Sequence, residues 1–300
     1  MSALRSWWQA ARPLAQVNIA LPLVVGQALA IAGGAAFHPI ACVLVHLFGV
    51  FDHLFIVFAN DVADEAGDRL STTHTAFSGG SRVLPEGRLA AAALVRAASA
   101  MALGMVVVSA TLAFAYDRTP MLLGCGAAIA LLLAYSFAPL RLSYRGFGEL
   151  AQALGTGAVL PAVGYVAHAG DLGGLHLAAL VPLVVLGAAS NINTALPDAP
   201  ADREVDKRTW AVRVGLPHAR KHSMLAIAFG VLTTPLLLPA ASQSWLAACE
   251  VPSLVVLGIN ALQWRSADPH DRAACTRFVF LNGLAINLAM VMWTIALLRS

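Results

Sequence analysis

The sequence predicts an all-α protein, a polytopic membrane bundle of nine transmembrane helices with a cytoplasmic N-terminus. Three observations carry that reading. The 300 residues are 59% hydrophobic and 12% charged, with a mean hydropathy of +0.73. Soluble chains carry about 25% charged residues, so this one has too little polar surface to enclose a core in water. Apolar segments lie near residues 14–36, 38–61, 89–114, 119–138, 148–169, 174–196, 218–240, 243–264 and 275–298, each matching the roughly 20 residues with which a helix crosses the hydrocarbon layer. With that division all of the 19 Lys and Arg except Arg118 and Arg299 fall on one side. Positively charged loops stay cytoplasmic, which places the N-terminus inside and the C-terminus outside.

The first segment follows Arg5 and Arg12 in the manner of a signal peptide, but Trp7, Trp8 and Pro13 occupy the place of its short basic region. Its apolar run continues to Phe37, long enough to span, and it is read as the first membrane helix. The third and fourth segments meet near 115–120 and the seventh and eighth near 240–243, each pair as a tight hairpin. The outside connections are short. Two inside connections, about 62–88 and 197–217, are long and rich in charge, the usual place for function in a chain of this kind. Cysteines 42, 125, 249 and 275 show no paired spacing and read as small apolar core residues. The net charge of +3 comes from scattered arginines without a basic tract, which excludes a nucleic-acid partner. Residues 1–300 are expected to form a single integral-membrane domain.

The two long connections look like copies. One reads Asp64-Glu-Ala-Gly-Asp68-Arg69 and the other Asp198-Ala-Pro-Ala-Asp202-Arg203, each at the cytoplasmic end of an even-numbered span and four spans apart. This predicts a 4+4+1 pseudo-repeat. Repeats separated by an even number of spans are parallel, and their acids lie at one membrane face. A transporter built from inverted repeats, the remotest alternative, places its site near the midplane.

In the first connection Asn60, Asp64 and Asp68 are spaced by four and Asp61 precedes Asp64 by three, so a helix puts them on one face. Carboxylates stacked in that way repel, and a divalent cation relieves the repulsion. All-oxygen ligation by Asp and Asn suits Mg²⁺, which takes one or two carboxylates and completes its shell with water and phosphate oxygens. The second connection adds Asp198, Asp202 and Asp206, again spaced by four, followed by Lys207, Arg208 and Arg213. Carboxylates for metal beside cations for oxyanions make a metal-diphosphate site. The alternative is that these acids cap helices and solvate loops.

Asn60-Asp61-x-x-Asp64-x-x-x-Asp68 and Asp198-x-x-x-Asp202 resemble the two acid motifs of the UbiA-type intramembrane prenyltransferases. The similarity extends along the chain through Arg12-Pro13, Gly80-Ser-Arg82-Val-Leu-Pro85-x-Gly87, Tyr135-Ser136, Leu142-Ser-Tyr144-Arg145-Gly146-x-Gly148-Glu149 and Asp206-Lys207-Arg208-Thr209-Trp210-Ala-Val-Arg213-Val-Gly215. The last two blocks are most similar to the MenA branch, which prenylates 1,4-dihydroxy-2-naphthoate. Ala195, Leu196, Pro197 and Asp206 depart from the residues usual there.

The resemblance implies a nine-helix bundle in which the motifs face each other and bind Mg²⁺ through Asp61, Asp64 and Asp68 on one side and Asp198 and Asp202 on the other. The metal holds an isoprenyl diphosphate, and an aromatic acceptor attacks the allylic cation left when diphosphate departs. It further implies that Asp64, Asp68, Asp198, Asp202 and Lys207 are catalytic, that Arg82 or Arg145 assists Lys207 on the diphosphate, and that Tyr135 and Ser136 stand near the reacting carbon. The expected setting is a bacterial inner membrane, with the active site at its cytoplasmic face. A terpene cyclase using the same diphosphate site, or an enzyme with a quinolone, hydroxybenzoate or tetrapyrrole acceptor, fits the motifs equally.

Ionisable residues inside spans cost energy and need a reason. His46, His53 and Asn60 recur every seven residues on one face of the second span, with Asp52 beside His53. Either His53 or Asp52 binds the acceptor or takes its proton, or the two form a buried pair that ties helices together. Asn18, Glu149 and Gln152 are further candidates near the cytoplasmic end, Asn60 joins them in the substrate site, and Glu250 is placed to reach the outer interface. Tyr135 reads either as a cation-stabilising ring or as an interfacial anchor.

Overall fold

Long apolar runs without clustered helix breakers leave the backbone one economical choice in lipid, since every N–H and C=O must be satisfied within the segment. The computed structural model describes residues 3–71, 80–237, 243–264 and 271–299, and among these all regular structure is helical with no strand. In chain order the helices are α1 (Ala3–Ala11), α2 (Val17–Ala32), α3 (Pro39–Ala63), α4 (Glu65–Leu70), α5 (Ala91–Ala115), α6 (Pro120–Ser136) and α7 (Gly148–Leu154). Then follow α8 (Leu160–Ala169), α9 (Leu180–Ala195), α10 (Ala199–Glu204), α11 (Trp210–Val214), α12 (Leu216–Leu237), α13 (Gln243–Trp264) and α14 (Arg272–Leu298).

Seven of these rods, counted among the described residues, are long and apolar enough to cross a membrane: 3–32, 39–63, 91–115, 148–169, 177–195, 247–264 and 272–298. The chain is thus a polytopic membrane protein. The expected spans near 119–138 and 218–240 are present as α6 and α12 but fall outside that set. α6 is apolar with 17 residues, and α12 carries His218, Arg220, Lys221 and His222 in its first two turns. Residues 72–79 of the first long connection, residues 238–242 and Arg265 lie outside the described residues.

The first span differs from its expected bounds. Arg12 takes the left-handed conformation (φ 44°) and Pro13–Gln16 form a 3-10 turn, so the chain bends there and α1 is a separate helix packed against α3. Pro13 has no N–H for the ladder and its ring opposes the preceding turn, which stops a helix from running through. The fifth span is one rod made of α7, a π-helical turn at Gly155–Val159, and α8.

Packing divides into two apolar cores, one built mainly from α3, α5 and α6 and the other from α9, α12, α13 and α14. α2 and α8 contribute to both, and the last helix, α14, closes the bundle against α2. The α2–α8 crossing depends on two glycines. A Cβ on Gly26 would lie 1.9 Å from the Pro161 carbonyl oxygen, and one on Gly164 would lie 2.1 Å from that of Leu23. Between helices in lipid, where burial of apolar surface drives nothing, such close backbone approach is a main source of attraction.

Buried polar groups are paired across the second core. Asn282 donates to Asn193 Oδ1 (3.2 Å) and Ser223 Oγ (3.3 Å), and Asn260 donates to Asn282 Oδ1 (2.7 Å), which ties α9, α12, α13 and α14 together. Glu250 does not reach the outer interface; it is buried and accepts from Trp293 Nε1 at 2.8 Å. His46 sits 3.0 Å from Gln27, which also meets His168, so it belongs to a polar knot remote from the acid motifs.

Gly164→Leu is expected to lower stability by about 3 kcal/mol, the upper end of ordinary overpacking, read as a reduced melting temperature in detergent. Gly258→Ala, where an added Cβ meets nothing within 4 Å, leaves the melting temperature unchanged or slightly raised.

Candidate active site

The helical hydrogen-bond pattern runs through the join of α3 and α4, with Asp64 N–H donating to Asn60 O (2.8 Å) and Asp68 N–H to Asp64 O (2.9 Å). Asn60, Asp64 and Asp68 therefore keep one face although α3 ends at Ala63. The second motif repeats this: Asp202 N–H donates to Asp198 O at 2.8 Å, and α4 packs on α10. The two faces line a polar cavity of about 230 Å³ that also receives Asn18, Tyr135 and Lys207.

Lys207 joins the motifs. Its Nζ lies 3.0 Å from Asp64 Oδ2 and 3.8 Å from Asp202 Oδ1. Burial opposes its charge, yet Asp64, Tyr135 and Asp202 together hold its pKa well above the ordinary lysine value. Thr209 donates to Asp202 Oδ2 (3.3 Å) and the Tyr144 hydroxyl to Asp64 Oδ1 (3.4 Å). Burial first, and repulsion from Asp64 second, push the Asp68 carboxyl up to about 7. Burial likewise raises Asp202 to about 6 against the pull of Lys207.

Several expected residues lie elsewhere. Asp61 is turned away from the cavity and buried, where its carboxylate pairs with Arg12 and accepts from Ser81 Oγ and Ser81 N–H (3.2 Å). On a helix a residue three before Asp64 and one after Asn60 cannot share both their directions, and Asp61 took the packed side. Arg82, at φ 68°, donates to the carbonyls of Asp68 and Ser71 (3.4 Å for the latter) and so braces α4 from behind. Arg145 is exposed and donates to Pro139 O at 2.8 Å. Ser136 is buried and donates to Asn60 Oδ1 at 2.6 Å, orienting that amide without lining the cavity. Asp206 leaves the face of Asp198 and Asp202 because α10 ends at Glu204 and Asp206 itself is left-handed (φ 55°). Arg208 and Arg213 are exposed outside the cavity.

Four contributors were not assigned a role from the sequence. Arg12 lines the cavity and, with Lys207, brings positive charge to it. Thr194 and Asn191 line it from α9, and their spacing before Asp198, four and seven residues, is the signal that would have found them. Gly80 is the fourth. An added Cβ there would lie 1.8 Å from Asp68 Oδ2, and φ +67° favours glycine independently. The segment from Gly80 to Arg82 is thus a strap that fixes both Asp61 and Asp68.

Below the polar cavity lies an apolar chamber of about 180 Å³, and Asn18, Asn60, Tyr135 and Gln152 belong to the walls of both. His53 stands in the chamber wall, with Nε2 at 2.7 Å from the Ala11 carbonyl, which only accepts, so the ring donates and is committed to the backbone. It is not paired with Asp52. Across Val159, at the π-helical turn, the chamber abuts a wholly apolar cleft of about 280 Å³ between α6 and α8.

The donors are carboxylate and amide oxygens throughout. Among the described residues no three His, Cys, Asp or Glu side chains form a ready cage for a metal ion. Pairs of carboxylates open to a shared cavity fit Mg²⁺, which completes its shell with water and ligand phosphate. They do not fit a cation bound wholly by protein.

This is a membrane-protein bundle with acids and a lysine set over an apolar chamber. Residues 19–284 match the model of the UbiA prenyltransferase family, and the chain belongs to it and is a prenyltransferase. It is 29% identical over 303 residues, covering 99% of this chain and 96% of the relative, to a 1,4-dihydroxy-2-naphthoate octaprenyltransferase of Mycobacterium tuberculosis. Its fold is similar to that of a UbiA homolog from Archaeoglobus fulgidus bound to DMAPP and Mg²⁺, with a TM-score of 0.70 at 19% identity over 98% of this chain and 99% of that one. An apo UbiA homolog from Aeropyrum pernix K1 also gives a TM-score of 0.70, at 17% identity over 93% and 96% of the two chains.

Gly80→Ala should reduce prenyltransferase activity about 100-fold, the scale of an ångström-sized misplacement. Gly87→Ala, at φ +65° with nothing near the added Cβ, carries the same backbone strain and should retain activity. The raised carboxyls give a second expectation. Between about pH 4 and 7 the folded protein keeps protons on Asp68 and Asp202 that the unfolded chain, with pKa values near 3.8, has released. Stability therefore falls as pH rises through that window. Melting temperatures of the metal-free protein in detergent should decline from pH 5 to pH 8, and Asp68→Asn should flatten the decline.

Proposed function

We propose that this prenyltransferase moves an isoprenyl group from an isoprenyl diphosphate to an aromatic acceptor in a Mg²⁺-dependent reaction, with a 1,4-dihydroxy-2-naphthoate-type ring as the leading acceptor. The observation that carries the reading is the joining of two cavities. A polar one lined by Asp64, Asp68, Asp198, Asp202 and Lys207 opens past Asn60 and Tyr135 into an apolar one. Diphosphate belongs in the first, the hydrocarbon chain in the second, and the bond between them at the shared wall. The naphthoate octaprenyltransferase relative and the structures of homologs with DMAPP or GPP and Mg²⁺ support the same assignment.

When bound between the carboxylate pairs, Mg²⁺ supplies positive charge to the departing diphosphate. Lys207, with Arg12 as the second cation in place of Arg82 or Arg145, neutralises the remaining oxygens. The C–O bond breaks with its electron pair leaving on diphosphate, and positive charge develops on the allylic carbon beside the Tyr135 ring, whose face favours a cation. The apolar chamber excludes water that would quench that carbon. A ring carbon of the acceptor attacks, and the ring regains aromaticity by losing a proton or, for a naphthoate, CO₂. Asp61 acts through packing, holding Arg12 and the strap, and not as a metal ligand. The distribution of Lys and Arg supports a cell-membrane location with this site on the cytoplasmic face.

Purified protein is incubated with geranyl diphosphate, 1,4-dihydroxy-2-naphthoate and Mg²⁺, and products are identified by mass. Prenylated ring and stoichiometric diphosphate are expected, with Asp64→Asn and Asp198→Asn each reducing release by about 10²–10³-fold, the loss typical for removal of one preorganised electrostatic group. Full turnover in either variant, or diphosphate release with no prenylated ring from any aromatic acceptor, overturns the reading.

A further inference from the structure

Of the polar side chains in the chamber wall, Asp52 and Asn18 make no hydrogen bond among the described residues, and of these two only Asp52 is buried. Asp52 is 3% exposed, lines the chamber, and its carboxyl makes no hydrogen bond among the described residues. Its neighbour His53 is engaged with the Ala11 backbone. Asp52 lies eight residues before Asn60 on α3, about 12 Å along the helix axis from the junction of the two cavities. A buried carboxyl in a bilayer is costly, and an isoprenyl chain lying against it leaves the cost unrelieved.

The walls of the chamber differ in kind. α2 and α3 bring Asn18 and Asp52 among Ile19, Ile56 and Val57, whereas opposite them, beyond the shared Tyr135 and Gln152, Leu131 and Leu132 of α6, Val159 of the π-helical turn and Leu160 of α8 lead on to the apolar cleft. The second wall suits the hydrocarbon chain, which leaves the first for the acceptor. In its ionised form, which alkaline buffer favours, the Asp52 carboxylate accepts hydrogen bonds and repels other anions. We propose that Asp52 is the acceptor-recognition residue, and that it takes a hydrogen bond from a hydroxyl or ring N–H of the aromatic acceptor that faces away from the diphosphate. This rests on the prenyl-transfer reading and narrows the acceptor class to rings that carry such a donor, as the 4-hydroxyl of a 1,4-dihydroxy-2-naphthoate does.

Binding without turnover tests it separately from the reaction. Three naphthalenes that differ at one position, 1-naphthol, 1-methylnaphthalene and 1-naphthoate, are titrated into detergent-solubilised protein in alkaline buffer and followed by tryptophan fluorescence. Partition into micelles is common to all variants and cancels between them. The wild type should bind 1-naphthol about 10–100-fold more tightly than 1-methylnaphthalene, as for a hydrogen bond to a charged group, and 1-naphthoate most weakly. Asp52→Leu should erase the naphthol preference. Asp52→Asn, which has the same shape and adds N–H donors, should strengthen 1-naphthoate binding at least 10-fold, a gain that a purely structural role for Asp52 does not produce. An unchanged preference in Asp52→Leu, or a wild type that does not distinguish the three, overturns the proposal. Loss of diphosphate release in the wild type bears on the transfer reading alone.

Discussion

The site depends on one ammonium. Lys207 Nζ stands between Asp64 from the first motif and Asp202 from the second, and it is the direct ionic link between two acid clusters that otherwise repel. Several features serve that link. α10 ends so that the Lys207 N–H returns to Asp202 O at 2.9 Å, which aims the side chain back over its own motif. Thr209 and Tyr144 hold the outer oxygens of the same carboxylates. A buried charge pair of this kind adds little net stability compared with apolar packing. Its value is geometric, because it fixes the distance between two helices that share no covalent neighbourhood.

Behind the first motif the structure uses a different device. The strap from Gly80 to Arg82 engages Asp61, Asp68 and the end of α4, and Arg12, left-handed before Pro13, closes it from the other side. Residues that look like ligands in a motif thus divide into those that face the cavity and those that hold the facing ones in place. The chamber beneath shows the same economy: His53 and Ser136 orient backbone or amide groups, and Asp52 and Asn18 are left to meet a ligand.

Much of this was legible in the sequence. Composition and apolar length gave the membrane bundle, and the i, i+4 spacing of Asn60, Asp64 and Asp68 survived a helix join because the hydrogen-bond ladder continues through it. The same rule failed for Asp206, where the helix stops two residues earlier, and for Asp61, whose position satisfies the spacing to one neighbour only. Arg82 and Arg145 were misplaced for a further reason. A long flexible side chain can reach many places, and which backbone carbonyl captures it depends on turn conformations that charge and spacing do not encode. Glu250 illustrates the opposite error: its partner Trp293 lies 43 residues away on another helix, a pairing visible only in three dimensions.

The last helix of the bundle packs against the first membrane helix, and Lys207 arrives some 140 residues after Asp64. A ribosome making this protein therefore releases the first pair of acids long before their counterion exists. Until the second half emerges, Asp64 and Asp68 must rest in headgroup water, and the α2 surface that α14 will cover faces lipid or the insertion machinery. Competence arrives late and all at once, so a nascent or truncated chain has the greasy half of its chamber without the means to cleave anything held there.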